Sequence, residues 1–420
     1  MKIEGYFCIP KAKKRSLEGS CDGLLTSIFD ELKDATEIHI AFYLFNNLTF
    51  LKFLTAKAMN GCKVTVTSLP VDGYSDKLVA IEGLPKKVSS REYAVLVYQE
   101  ILKTNNIDLL FFPHLYSWYG ALYAGGNPSY SFHIKAIYAK TIDGQAKCIL
   151  TSGNFKVGDP PHSENVLVIT DTVDGEYGKE FDRYFHDLEE YSIPQHSTSS
   201  LYMAIEDQFE FSFNNESGRK IINFPKEDRK CFFSTPFYLY DGVGSNHYAN
   251  QRISELILSA EERVWICAQH FHDLNTFDNQ TSTIMNALSM LSNRKKGLDF
   301  KFLKQVPHTS LADKRRAGIA ECVIHFSLKA PQRFNRLTHD KFIIVDNNLL
   351  VSTANYTPTQ FAYGNRQMKY TLGKTIFTKH DIFSESNAFV IIENNKDLCK
   401  KYEKHFLDMW ETGENIEIVL

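Results

Sequence analysis

The chain has 420 residues, of which 43% are hydrophobic and 23% are charged, as in ordinary globular proteins with one two-lobed body or two domains. The net charge of the whole protein, -3, does not indicate nucleic-acid binding. A basic binding surface would have to be a local patch. The sequence has no apolar run of about 18 residues and no apolar secretory segment near its start. We therefore expect no transmembrane helix and a cytoplasmic protein.

The cysteines are scattered singly along the chain. There are 8 of them, and none forms a C-x-x-C pair. A zinc site is therefore not expected, because structural zinc sites are built from closely spaced cysteines and histidines. A chain of this length can form a core without disulfide bonds, so we expect the cysteines to be reduced.

In chain order, the predicted elements occur as two copies of one unit. Each copy begins with an amphipathic helix, continues with a buried strand, and then has a second helix and a second strand. The corresponding helices cover residues 24–32 and 253–258, the first strands 35–45 and 260–271, and the second strands 64–66 and 300–303. Alternating helices and strands indicate an α/β fold with parallel layers.

The correspondence continues downstream in the same order. The matched blocks are 132–135 with 338–341, 151–154 with 352–355, and 163–169 with 386–392, and an amphipathic helix closes each copy at 177–190 and 397–410. We therefore predict two similar lobes, 1–200 and 201–420, each a mostly parallel mixed sheet flanked by helices.

The second copy carries the sharpest motif, His339-x-Lys341-x4-Asp346, followed by Asn355. Residues two apart on a β-strand project from the same face, so an imidazole is expected beside an ammonium group. The first copy repeats His133-x-Lys135.

The remaining positions of the first copy differ in one respect. Asn154 stands in the place of Asn355, but Lys140 occupies the position of the aspartate. The residues suited to handling phosphate are therefore present twice, whereas the carboxylate is present once.

Paired motifs of this kind suit phosphodiester chemistry. Lysine and asparagine donors neutralise the phosphoryl oxygens, and they bind more strongly as charge builds up at phosphorus. One neutral imidazole can attack phosphorus and form a phosphohistidine, while the second, protonated imidazole gives its proton to the leaving oxygen.

His339-x-Lys341-x4-Asp346 with Asn355 resembles the signature of the phospholipase D superfamily, and His133-x-Lys135 with Asn154 resembles its degenerate form. The tyrosyl-DNA phosphodiesterase branch of that family also lacks the aspartate. The resemblance implies two lobes about a pseudo-twofold axis, one active site between them, no metal and no cofactor. It also implies a mainly structural aspartate, although we count Asp346 with the candidate catalytic residues.

The family places a carboxylate about ten residues after the asparagine, hydrogen-bonded to the catalytic histidine. Glu164 has this position in the first copy, and we assign it to His133. In the second copy the aligned residue is Asn387, with Gln367 as a rival. Ser152 and Thr353, which precede the motif asparagines, are candidates for supporting contacts.

A histidine paired with a carboxylate holds its proton more firmly, which suits a general acid. This favours His339 as the nucleophile and His133 as the acid, with the reverse assignment as the alternative.

The substrate has three interpretations. A nuclease cleaving DNA or RNA, for example in defence or restriction, fits the basic residues Lys314 to Arg316, Arg333 and Arg336 upstream of His339 and the aromatic segment 115–123 upstream of His133. A phospholipase or phosphatidyltransferase is the second interpretation, and a binding protein with one weakened motif is the third.

His270 and His272, just past a predicted strand, are further candidates for lining the site. The sequence does not determine the oligomeric state.

Overall fold

A computed structural model describes residues 1–10, 15–17, 22–112, 131–201, 220–223, 229–271, 283–305, 323–361, 368–372, 375–379 and 385–415. The chain divides into two compact units, Met1–Ser212 with Lys369–Phe377, and Phe213–Met368 with Thr378–Leu420. The proposed lobes 1–200 and 201–420 remain a prediction.

The first unit is built on one sheet whose strands lie in the order β1-β8-β7-β6-β2-β3-β4-β9. Its elements are β1 (Lys2–Cys8), α1 (Asp22–Leu32), β2 (Ala35–Phe42), α2 (Leu48–Met59), β3 (Lys63–Ser68), a helical turn (Val71–Gly73), α3 (Ser90–Lys103), β4 (Ile107–Phe111), β5 (Ser131–Phe132), β6 (Lys135–Thr141), β7 (Gln145–Thr151), β8 (Glu164–Thr172), α4 (Glu176–Glu190), β9 (Ile193–Pro194) and a second helical turn (Thr198–Leu201).

The second unit contains a sheet in the order β11-β21-β18-β17-β14-β15-β16-β22, together with a small sheet β10-β12-β13. Its elements, with the β19–β20 pair, are β10 (Lys220–Ile222), β11 (Cys231–Ser234), β12 (Tyr238–Tyr240), β13 (Val243–Gly244), α5 (Ser245–Leu258), β14 (Arg263–Ala268), α6 (Thr283–Arg294), β15 (Asp299–Lys304), a helical turn (Val323–Ser327), β16 (Gln332–Phe334), β17 (Lys341–Val345), β18 (Asn348–Ser352), α7 (Pro358–Phe361), β19 (Met368–Leu372), β20 (Thr375–Lys379), β21 (Glu385–Ile392), α8 (Lys396–Glu411) and β22 (Glu414–Asn415).

The two large sheets repeat one strand order. Strands β8-β7-β6-β2-β3-β4 correspond one by one to β21-β18-β17-β14-β15-β16. The internal repeat predicted from the sequence is therefore confirmed, as is the α/β class with two mixed sheets flanked by helices.

The expected predominance of parallel pairing is wrong. Only β2–β3–β4 and β14–β15–β16 pair in parallel, and the other pairs of these two strand orders are antiparallel. Parallel neighbours need a crossover connection, which α2 and α3 supply in the first unit. The motif strand β6 instead continues into β7 through the tight turn at Asp143 and Gly144, where Gly144 has a φ of 76°.

The helix that closes each copy covers the sheet face opposite to the motif lysine. In the first unit, Phe185 of α4 packs against Tyr138 of β6 with 6.2 Å between ring centroids. In the second unit, Tyr402 of α8 packs against Phe342 of β17 at 5.0 Å. Both predicted amphipathic helices are therefore confirmed, and each leaves the lysine face of its motif strand on the other side.

Among the helices in the described part of the chain, none combines the length and apolar character needed to cross a membrane. The expectation of reduced cysteines is wrong for Cys8, which is disulfide-bonded. It holds for the five other described cysteines, which are thiols: Cys62, Cys148, Cys231, Cys267 and Cys399. Scattered spacing cannot reveal a pairing that only the fold produces.

The α4 face of the first sheet contains a partly buried histidine between two carboxylates. His39 Nδ1 lies 2.5 Å from Glu189 Oε1, and its Nε2 lies 3.0 Å from Glu37 Oε1. Burial alone would lower the pKa of His39, but the hydrogen bond to Glu189 and the charges of Glu189 and Glu37 together raise it.

Because the pKa of His39 is raised in the folded state, its contribution to stability is complete below its unfolded pKa of about 6.5 and is lost as pH rises through the folded pKa. We expect the unfolding free energy to fall more between pH 6 and pH 9 in the wild type than in His39→Gln. Urea denaturation at both pH values measures this difference. Equal pH dependence in the two proteins would show that His39 is not charged in the native state.

Candidate active site

Each motif lysine is the first residue of its strand and is fully buried. Lys135 opens β6 and Lys341 opens β17, both with 0% exposure. Each Nζ donates to the carbonyl oxygen of its own motif histidine, over 2.8 Å to His133 and 2.5 Å to His339. The histidines therefore lie immediately before the strands rather than within them, and the lysine side chain folds back to fix the peptide that carries the imidazole.

The imidazole of His133 lies between a lysine and a tyrosine. Lys135 Nζ is 3.3 Å from His133 Nε2, and the Tyr43 ring centroid is 5.5 Å from that of His133. An ammonium can only donate, so this contact favours a neutral imidazole with its proton on Nδ1. Tyr43 also lies 5.7 Å from the Lys135 ammonium. Sequence reasoning missed Tyr43, although its place directly after the buried strand β2 was a usable signal.

The motif asparagines share an unusual feature. The Oδ1 atoms of Asn154 and Asn355 are buried and have no hydrogen-bond partner among the described residues. The Asn355 Nδ2 donates to Gln269 Oε1 at 3.5 Å, and Gln269 follows β14 as Tyr43 follows β2. Buried polar atoms are normally paired, so an amide oxygen without a partner among the described residues, at the same place in both units, indicates a position that a ligand can complete.

The carboxylate predicted for the first unit is buried and contacts Ser152, two residues before the motif asparagine. Glu164 is 2% exposed, and its Oε2 accepts a 2.5 Å hydrogen bond from Ser152 Oγ. Ser152 Oγ in turn accepts from the backbone N–H of Asn165 at 2.9 Å. Ser152 thus contacts Glu164, while its supporting role and the pairing of Glu164 with His133 remain predictions.

The second unit supports its asparagine differently. Thr353 Oγ1 donates to Asn387 Oδ1 at 3.1 Å, so Asn387 has the place that Glu164 has in the first unit. Asn387 is joined to a glutamine that the sequence analysis did not single out, Gln360, over 3.1 Å. Gln360 also contacts a buried carboxylate, Glu385. The rival Gln367 lies outside the described residues.

Asp346 lies at the end of β17 remote from His339. Its carboxylate accepts hydrogen bonds from the backbone N–H groups of Glu261, Glu262 and Arg263, at 2.8, 2.8 and 2.9 Å. These contacts fasten the turn that precedes β14. The structural role that the resemblance implies for this aspartate agrees with this geometry, and Asp346 has no described contact with His339.

Lys140, at the aspartate position of the first unit, is held by ion pairs. Its Nζ lies 2.9 Å from Asp182 and 3.5 Å from Glu37. The same sheet position is therefore stabilised by a carboxylate bound to backbone groups in one unit and by a cation between carboxylates in the other.

Two basic residues upstream of His339 have different surroundings. Arg333 lies 5.3 Å from the Trp410 ring centroid and donates to the carbonyl oxygen of Trp410 at 2.8 Å, so its guanidinium is engaged within the unit. Arg336 is exposed. The backbone at His270 accepts from Tyr356 N at 3.0 Å, next to Asn355. His272, residues 314–316 and the aromatic segment 115–123 lie outside the described residues.

The fold is similar to solved structures of low sequence identity. Phosphatidylserine synthase from Haemophilus influenzae Rd KW20 has a TM-score of 0.54 and 12% identity, with 98% of this chain and 87% of that chain covered. Polyphosphate kinase from Porphyromonas gingivalis has a TM-score of 0.49 and 12% identity, with 98% and 50% covered, so this chain spans half the length of the kinase.

A phospholipase D family member, Nuc from Salmonella typhimurium, has a TM-score of 0.30 and 22% identity, with 45% of this chain and 97% of that chain covered. No protein-family model matches the sequence, and none of the curated proteins compared with it does.

The different contacts at the aspartate position predict unequal stability effects. Asp346→Ala removes three hydrogen bonds to a carboxylate and should lower the unfolding free energy by about 2 kcal/mol or more. Lys140→Ala removes partly exposed ion pairs and should lower it by about 1 kcal/mol at most. Urea denaturation compares the two variants, and an equal loss in both would contradict the structural role of Asp346.

Proposed function

We propose that this chain is a metal-independent phosphodiesterase of the phospholipase D type that acts through a phosphohistidine. Its paired motifs resemble the signature of that superfamily, and its fold is similar to that of phosphatidylserine synthase. The observation that carries this proposal is the repetition of one arrangement in both units. Each unit has a buried lysine bonded to the peptide of its motif histidine. Each also has an asparagine whose buried amide oxygen has no partner in the described part of the chain.

In the proposed reaction, each unit contributes one lysine, one asparagine and one histidine. The ammonium groups of Lys135 and Lys341 and the amides of Asn154 and Asn355 bind the phosphoryl oxygens, whose negative charge grows in the transition state. One imidazole attacks phosphorus while the other protonates the leaving oxygen, and water then releases the phosphate with the second histidine as base. This requires His133 and His339 to meet at a single phosphate.

The assignment of roles rests on opposing observations. The buried Glu164 favours a protonated His133 if the two are paired, which suits the acid. The 3.3 Å contact from Lys135 Nζ to His133 Nε2 favours a neutral His133, which suits the nucleophile. We retain His339 as the favoured nucleophile, and the identity of the phosphorylated residue is the test.

Within this chemistry we propose a nuclease as the function, acting on DNA or RNA in the cytoplasm, for example in defence. The exposed Arg336, three positions before His339, supports a charged polymer as substrate, because cations beside a site hold the flanking phosphates. The phosphatidylserine synthase of similar fold favours phospholipid as the second candidate. Fold similarity leaves substrate choice to the site itself.

The paired mechanism predicts equal loss of turnover in two variants. His133→Ala and His339→Ala should each lower kcat by at least 10³-fold on bis-p-nitrophenyl phosphate in EDTA, because each removes one half of the proton and phosphoryl transfer. Rapid quench into alkaline detergent, in which the P–N bond is stable, should trap a phosphorylated histidine in the wild type, and peptide mapping at alkaline pH identifies it. His186→Ala, on the exposed side of α4, is the control.

A single variant of the pair that keeps the wild-type rate would overturn the mechanism. Complete loss of wild-type activity in EDTA, restored by a divalent cation, would overturn metal independence.

The substrate is tested with single-stranded DNA, duplex DNA, RNA and phosphatidylcholine vesicles under the same conditions. We expect cleavage of at least one nucleic acid, and we expect Arg336→Ala to raise KM for it more than for bis-p-nitrophenyl phosphate, because only the polymer has flanking phosphates. Cleavage of the lipid alone would refute the nuclease and favour the second candidate.

A further inference from the structure

The first unit makes room for its carboxylate by means of a glycine. A Cβ atom added at Gly153 would lie 3.2 Å from Glu164 Cδ, closer than the side chain of Glu164 accommodates without moving. Gly153 lies between Ser152, which donates to Glu164, and Asn154, the motif asparagine. The position of the Glu164 side chain therefore depends on the absence of a side chain at Gly153.

The second unit changes both members together. Ser152 N donates to Asn165 O, and Thr353 N donates to Ala388 O, each at 3.1 Å, so the two units have the same register here. In this register Ala354 stands in the place of Gly153, and Asn387 stands in the place of Glu164. An amide thus replaces the carboxylate where a methyl group replaces the hydrogen of glycine.

A second carboxylate, that of Glu385, lies two residues before Asn387 on the same strand. Glu385 is 6% exposed and belongs to β21, as does Asn387, so the two side chains project from the same face of the strand. Through the antiparallel pairing of β17, β18 and β21, this is also the face of Lys341. Glu385 is therefore on the sheet face that carries the motif.

Hydrogen-bond direction links Glu385 to the motif asparagine. The backbone N–H of Asn355 can only donate, and it lies 3.2 Å from Gln360 Oε1, so this atom is the amide oxygen. The same oxygen accepts from Asn387 Nδ2 at 3.1 Å. Gln360 Nε2 consequently faces Glu385 Oε2 and donates to it. In this series of hydrogen bonds, each donor faces an acceptor.

We propose that Glu385 is the functional carboxylate of the second unit, displaced by two residues from the position of Glu164, and that Gln360 is a positioning residue that transmits its placement to Asn355. This inference rests on the proposed phosphodiester chemistry. Removal of the Glu385 charge weakens the hold on Gln360, and a displaced Asn355 binds the phosphoryl oxygens less well in the transition state.

The first test compares Glu385→Gln and Gln360→Leu with Glu393→Gln. Glu393 follows the same strand, is 36% exposed and contacts only Lys230 among its described ion pairs, at 3.2 Å. On bis-p-nitrophenyl phosphate we expect kcat to fall at least 30-fold in the first two variants, with KM changed less than threefold and the control unchanged.

Hydrogen–deuterium exchange supplies a readout that does not depend on turnover. The backbone amide of Asn355 should exchange faster in Gln360→Leu and Glu385→Gln than in the wild type, while the exchange of the β17 amides stays the same. Wild-type kcat together with unchanged exchange at Asn355 overturns the inference. A wild-type protein without activity on any phosphodiester overturns the proposed function instead, and the exchange experiment still tests the link from Glu385 to Asn355.

A transplant tests whether Glu385 is the counterpart of Glu164. In the Glu385→Gln background, Ala354→Gly with Asn387→Glu recreates the arrangement of the first unit. We expect kcat to recover to within tenfold of the wild type, whereas Asn387→Glu without Ala354→Gly should not recover it, because the methyl group crowds the new carboxylate. No recovery in the combined variant overturns the assignment.

Discussion

The structure of both motif regions depends on two buried ammonium groups, which need hydrogen-bond acceptors inside the protein. Lys135 and Lys341 are fully enclosed, and a charged amine removed from water is costly unless its donors are satisfied. Each therefore folds back to the carbonyl oxygen of the histidine two residues earlier. This contact fixes the peptide that presents the imidazole at the start of the strand, and it keeps a positive charge beneath the place where an anion is proposed to bind.

The two units build different supports around the same backbone. In the first unit, Ser152 donates to Glu164, and Gly153 leaves room for that side chain. In the second unit, Thr353 donates to Asn387, which in turn donates to Gln360. Catalysis by two histidines requires one to give a proton while the other attacks, so identical surroundings would serve neither role well. We propose that the divergence between the units separates the properties of the two imidazoles.

The sequence was sufficient for the internal repeat and for the α/β class, because hydrophobic periodicity and the matched blocks report local structure directly. It could not predict that β6 and β17 lie antiparallel to β2 and β14, since alternating helices and strands fit both arrangements. Glu385 was overlooked because alignment with Glu164 leads to Asn387. The hydrogen bonds of Gln360 connect residues separated in sequence, and only the fold brings them together.

The central claim is that His133 and His339 act on the same phosphorus atom. An experimental structure of the protein with bound inorganic phosphate tests it most directly. The account predicts one phosphate with a nitrogen of each imidazole within hydrogen-bond distance, about 3 Å, of its oxygens, and with both motif lysines on the same anion. Two separate phosphates, one on each unit with the imidazoles far apart, would contradict it.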